Sequence, residues 1–396
     1  MWQALTFQAG YNAALVALGA ALLGAAAGGA GSFMVLRKRA LISDALAHAT
    51  LPGVALAFLA LVALGGDGRS LLGLMAGSAA TATLGLLFVD AITRRTRLGE
   101  DAAIGAVLSV FFGAGIVLLT VIQTLPTGRQ AGLESFLLGS TAGMLRADAL
   151  TIAGGAALVT LALVLLRRPL TLVAFDAGFA RASGVPVRAV DLALMALVMG
   201  VTVVGLRIVG LVLIVALLIV PAVAARFWTE RSGVMALIAA GLGALSGYLG
   251  AVFSTVLPDL PTGPMIVLIA AALFLGSLAF APGRGVLAAV LRQRAFSKAV
   301  HRRQGLLAMA RDEPIRDAFT LKVLGADDLI RPDGVATPRG QAEAIRAARD
   351  EALWAVARAR HSDTGQTGRY DGLTPVEEVF TPDQIAHLAA RLEGSA

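Results

Sequence analysis

Apolar residues fill residues 1–281 in continuous runs rather than in alternation. The runs lie at about 13–36, 45–64, 71–92, 102–122, 149–166, 187–206, 208–225, 234–257 and 264–281. Each comes near the ~20 residues with which a helix spans a bilayer core. Barrel strands are about half that length and alternate in polarity, so the pattern predicts helices throughout. Basic clusters punctuate the runs at 37–39, 94–97, 167–168, at Arg226 with Arg231, and from Arg284 onward. Lys and Arg gather in cytoplasmic loops, and placing all five clusters inside makes every second loop cytoplasmic. The result is nine spans, with the N-terminus outside and the C-terminus in the cytoplasm. Arg207 is the weak joint, because it interrupts an otherwise unbroken run. Without a turn there, two spans merge and the count is eight.

Between the spans, residues 131–148 are too short and mixed to cross and read as a re-entrant or interfacial helix. Residues 174–188 fall on the cytoplasmic side, where Asp176 suits the N-cap of a short helix ending at Gly184. Such a helix either lies on the membrane surface or docks a cytoplasmic partner. Small residues four apart (Gly24/Gly28, Gly73/Gly77, Gly139/Gly143, Gly243/Gly247) favour close helix packing.

Composition agrees and divides the chain. Of 396 residues, 57% are hydrophobic and 15% charged, against about 25% charged in soluble domains. Mean hydropathy is +0.79, which excludes an ordinary soluble enzyme. Residues 1–281 hold 16 Lys+Arg and 11 Asp+Glu, whereas the much shorter 282–396 holds 17 and 15. We therefore expect a transmembrane domain at 1–283 and a cytoplasmic, mainly helical domain at 284–396. Of the net charge of +7, residues 1–281 carry +5, in short clusters between spans, so no nucleic-acid partner is expected. The first ten residues lack a basic segment, and no cleavable signal peptide is expected. Zero Cys removes thiol nucleophiles and cysteine metal sites.

Ionisable residues inside a membrane are expensive, so each is a candidate for function. The sharpest pair is Asp44 and His48, four apart and therefore on one helical face. A carboxylate with an imidazole suits Zn²⁺, Mn²⁺ or Fe²⁺. The competing reading has Asp44 capping the second span while His48 bonds a neighbouring backbone. Glu100 and Asp101 open the fourth span, where the helix dipole favours acids, and with Glu134 they are candidates for the pore or its entry. Asp90 is expected in an ion pair with Arg94 or Arg95, Asp148 closes the 131–148 segment, and Asp191 is ambiguous. The three lysines, Lys38, Lys298 and Lys322, fit no phosphate-binding loop. ATP-driven transport would need an ATPase from another chain.

The stretch GSFMVLRKRALISDALAHATLPGVALAF (31–58) resembles the signature of the zinc/manganese/iron ABC permease family. Residues 96–119, 133–140, 174–187, 203–226 and 257–274 agree in order, so the resemblance covers 10–281. It implies an all-α polytopic permease of a bacterial-type inner membrane, embedded in lipid, that carries Mn²⁺, Zn²⁺ or Fe²⁺ inward. It implies that Asp44 and His48 hold the metal, and that a second permease chain, identical or paralogous, faces the first. It also implies a cytoplasmic ABC ATPase dimer docked on 176–186, around Asp176, Phe179, Ala180, Gly184 and Pro186, and an extracytoplasmic metal-binding protein. Residues 337–357 with 372–392 resemble the C-terminal part of iron-dependent repressors, in a degenerate form. Where those repressors place a ligand His, this chain has Glu351. Two alternatives stay open: an ion-coupled secondary metal carrier, and a membrane-tethered metal-responsive regulator.

Overall fold

The computed structural model describes residues 10–66, 70–124, 146–256, 260–360 and 367–394. Glu134, Gly139 and Gly143 lie outside them. The chain divides into two compact units, Met1–Val286 and Leu287–Ala396.

The first unit is a helical bundle: α1 (Tyr11–Leu36), α2 (Ala40–Ala63), α3 (Leu71–Arg95), α4 (Glu100–Gln123), α5 (Arg146–Phe175), α6 (Ala177–Ala182), α7 (Val187–Val209), α8 (Leu211–Arg226), α9 (Ser232–Val256) and α10 (Thr262–Phe280). Eight of these, all but α6 and α8, are long and apolar enough to cross a membrane. With 16 residues, α8 reaches about 24 Å at 1.5 Å per residue.

The expected junction near Arg207 falls at Gly210, whose φ of +81° a residue with a Cβ rarely adopts. Three contacts show the chain reversing there. Gly205 packs against the Ile214 side chain. The start of α7 pairs with the end of α1 through Asp191 and Arg37. The end of α8 returns to the same level, where Val35 and Leu36 pack against the buried cluster that holds Ala222 and Ala225.

Two small-residue pairs act as the sequence suggests. A Cβ on Gly24 would stand 2.1 Å from the Gly243 carbonyl oxygen, and one on Gly243 would stand 2.0 Å from that of Gly24. One turn on, Gly28 meets the Ala239 carbonyl in the same way. Backbones that touch permit no side chain between them, so α1 lies locked along α9. A second crossing, Gly53 on Gly77, joins α2 to α3. These contacts leave α2 between α3 and α4, with Leu51, Val54 and Phe58 buried.

The second unit contains α11 (Val286–Ala310), α12 (Ala318–Ala326), α13 (Pro338–Arg360) and α14 (Pro382–Gly394). An isolated β-bridge links Ile330 and Ala336. Trp354 is fully buried against Tyr370 and Phe380, and its indole N–H donates to the Thr374 carbonyl at 3.0 Å.

Candidate functional site

Helix α2 starts at Ala40 with Arg39 as its N-cap residue. Asp44 is therefore already inside the helix, beyond the reach of the orphan amides a cap serves. Its Oδ1 lies 3.4 Å from His48 Nε2. The His48 ring meets Phe112 of α4 edge-on, with centroids 5.0 Å apart. Its other nitrogen, Nδ1, is buried and has no hydrogen-bond partner. Among the described residues, Arg39 and not Asp44 stands at the N-cap, and no backbone partner is found for His48 Nδ1. An unpaired buried nitrogen costs about 1–3 kcal/mol, a cost the bundle alone does not explain. The Asp44 side chain is 43% exposed and that of His48 19%, so the pair opens outward from its own chain. Downstream, Pro52 lacks the N–H that would bond the His48 carbonyl, which loosens α2 one turn from the pair.

No group of three or more His, Cys, Asp or Glu gathers among the described residues. The Asp44–His48 pair offers two side chains where a tetrahedral metal site takes four donors.

A second cluster forms at the turn between α1 and α2, where Lys38 adopts φ +58°. Arg37 donates from Nη1 to the Val173 carbonyl and from Nη2 to Asp191 Oδ2, both at 2.8 Å. Arg39 reaches the same Asp191 oxygen at 3.2 Å and Glu100 Oε1 at 3.0 Å. Glu100 is thereby paired, at the end of the bundle that the basic clusters mark. Asp101 is exposed in the first turn of α4. Asp90 pairs with Arg94 at 2.6 Å, as expected, and also with Arg188 at 3.2 Å. Asp148 is buried in the first turn of α5.

The segment 176–186 folds as its residues suggest. The Asp176 carboxylate accepts from the Phe179 N–H at 2.8 Å and caps α6. Gly184 turns the chain at φ +81°, and the Val185 N–H closes on the Ala180 carbonyl at 2.9 Å. Ala180 is buried, whereas Phe179 is 59% exposed. A cavity of about 530 Å³ joins this segment to the α1–α2 turn, lined by Arg37, Arg39, Arg181, Pro186 and Asp191 among others. Sequence analysis left Asp191 unassigned and did not join it to Arg37 and Arg39, because their partnership spans more than 150 positions.

In the second unit, Glu351 accepts from the Tyr370 hydroxyl at 2.5 Å and from Arg303 at 3.1 Å. Burial pushes its carboxyl up, but those two donors, with Arg358 nearby, outweigh it and hold the group below the ordinary carboxylate range.

The profile of the ABC 3 transport family matches residues 11–281. The manganese transport system membrane protein MntC of Bacillus subtilis is 43% identical over 298 residues, 75% of this chain and 67% of that protein. The zinc transport system membrane protein TroC of Treponema pallidum is 40% identical over 287 residues, 72% of this chain and 95% of that protein. Among solved structures, a chain of PsaBC from Streptococcus pneumoniae in complex with Fab superposes with a TM-score of 0.62 at 30% identity. It covers 72% of this chain and 98% of that one.

Proposed function

The chain belongs to the ABC 3 transport family as a multi-pass metal-transport permease subunit, and we propose that Mn²⁺ or Zn²⁺, with Fe²⁺ as the third candidate cargo, passes inward between Asp44 and His48 of two such chains. A permease subunit is not itself an enzyme. The ATP would be hydrolysed by a separate cytoplasmic ATPase dimer seated on 176–186, where Phe179 offers an exposed aromatic. An extracytoplasmic binding protein would deliver the ion. The secondary-carrier and tethered-regulator readings are not favoured by the family.

The observation that carries this reading is the Asp44–His48 pair: a carboxylate and an imidazole 3.4 Å apart on one helical face, opening outward. A second copy would raise the donors to four. Two carboxylates and two imidazoles hold Mn²⁺ or Zn²⁺ without thiolate, so the ion is released as readily as it is taken. The C-terminal unit is assigned a cytoplasmic packing role on the ATPase or on its twin.

The test is uptake of radioactive Mn²⁺ and Zn²⁺ by cells carrying the whole transporter. Asp44→Asn and His48→Gln should each abolish accumulation while the chain still inserts. Undiminished uptake in both variants would remove the pair from the path.

A further inference from the structure

Helix α2 carries the proposed metal pair, and the proposed ATPase seat lies on 176–186; the two are far apart in sequence. The α1–α2 turn connects them. Arg37 grips the chain on both sides of the seat at once: the Val173 carbonyl three residues before Asp176, and Asp191 five residues after Pro186. Arg39 holds the same Asp191 oxygen and is the residue from which α2 starts. Asp44 lies about 6 Å along that helix and His48 about 12 Å, at 1.5 Å per residue. The Arg37 and Asp191 side chains are each 15% exposed, so solvent screens their attraction only in part. Arg37 also leaves its Nε buried without a partner, so its fork is set by its two acceptors at the expense of its third donor. On its outer side the cluster faces the cavity that α6 and the start of α7 line.

We infer that Asp191, clasped by Arg37 and Arg39, is the positioning residue through which displacement of the 176–186 segment reaches Asp44 and His48. The inference rests on the permease reading above. A rigid helix hinged on Arg39 turns a shift of the Asp191 carboxylate into a shift of both metal donors. Without the carboxylate, the segment still moves with the ATPase, but α2 no longer follows.

The experiment uses the complete transporter, with its ATPase and its binding protein loaded with Mn²⁺, reconstituted in vesicles. ATP hydrolysed and Mn²⁺ moved are measured together. Asp191→Asn should keep hydrolysis within about twofold of the unmutated complex and lower Mn²⁺ transport about tenfold or more, the size of an ordinary coupling between two sites. ATP consumed per ion then rises about tenfold. Asp191→Glu, which keeps the charge, should bring that ratio most of the way back. A structural role alone would lower hydrolysis and transport in parallel. That outcome, or an unchanged ratio, overturns the inference. Where Asp191→Asn does not assemble, Arg37→Lys, which keeps the charge but not the fork to Val173, must raise the same ratio or the inference fails. An unmutated complex that hydrolyses ATP but moves none of Mn²⁺, Zn²⁺ and Fe²⁺ overturns the permease reading, and the inference with it.

Discussion

Placing a methyl group at the α1–α9 crossing should separate the two helices by a calculable amount. The Cβ of Gly24→Ala would lie 2.1 Å from the Gly243 carbonyl oxygen, whereas ordinary Cβ contacts begin at 3.4 Å and are already tight at 3.0 Å. The obstacle is backbone, so no side chain can swing aside, and the helices must part by about 1 Å. A gap of that size forfeits a quarter to a half of each dispersion contact along the seam. The expected cost is about 1–3 kcal/mol, the range for overpacked cores. Gly243→Ala strikes the same point from the other side at 2.0 Å and should cost as much. Because both open one gap, the double variant should cost less than the sum by at least about 0.5 kcal/mol. Gly276→Ala in α10, with nothing within 4 Å of its Cβ position, should be neutral or stabilising by up to about 1 kcal/mol through helix propensity. Thermal melting of the purified full chain in one detergent ranks the four variants. If Gly24→Ala melts with the unmutated chain, or the two losses simply add, the locked crossing is wrong.

The remaining predictions concern the two units separately. Asp176→Ala removes the cap of α6 and should cost that helix about 1 kcal/mol, read as weaker capture of the partner ATPase with unchanged membrane insertion. Trp354→Ala empties the centre of the second unit and should destabilise it by about 3–5 kcal/mol, seen as faster amide exchange across 338–394 in the intact chain. Glu351 is held below its ordinary value of 4.5, so its ionised form stabilises the fold. That contribution is complete above the ordinary value and is lost as pH falls through the lower, folded value. Amide protection of 338–394 should therefore decline below about pH 4.5. Tyr370→Phe should lower protection at neutral pH by about 1 kcal/mol and flatten the acid dependence; an unchanged slope would show that Glu351 is not the group responsible.

The spans were legible because a buried membrane helix needs some twenty apolar residues in a row, and nothing else in the chain resembles that. The reversal at Gly210 left only Arg207 as its mark in the sequence, because a single glycine makes it and no polar loop separates the two runs. Asp44 and His48 could be paired from spacing because one helix carries both. The Arg37–Asp191 contact could not, since periodicity relates residues within an element and says nothing about which elements meet. The glycine pairs fall between these cases. Gly24/Gly28 and Gly243/Gly247 announced that two helices offer close-packing faces, but their fit to each other needed the folded chain. Likewise, the acids opening α4 were expected at its dipole, yet the Arg39 partner of Glu100 comes from another turn.

The short helix α8 has a bearing on what covers its own tip within the bilayer. Its basic end, at Arg226, lies level with the end of α1, and its 16 residues stop about 6 Å short of a ~30 Å hydrocarbon slab. At that buried tip, the first amides of α8 have no intrahelical acceptor, and Gly210 brings no side chain to satisfy them. Hydrocarbon cannot cover bare amides. Gly210 is buried in the bundle, however, where protein covers irregular backbone at membrane depth, so α8 ends against its neighbouring helices rather than in lipid.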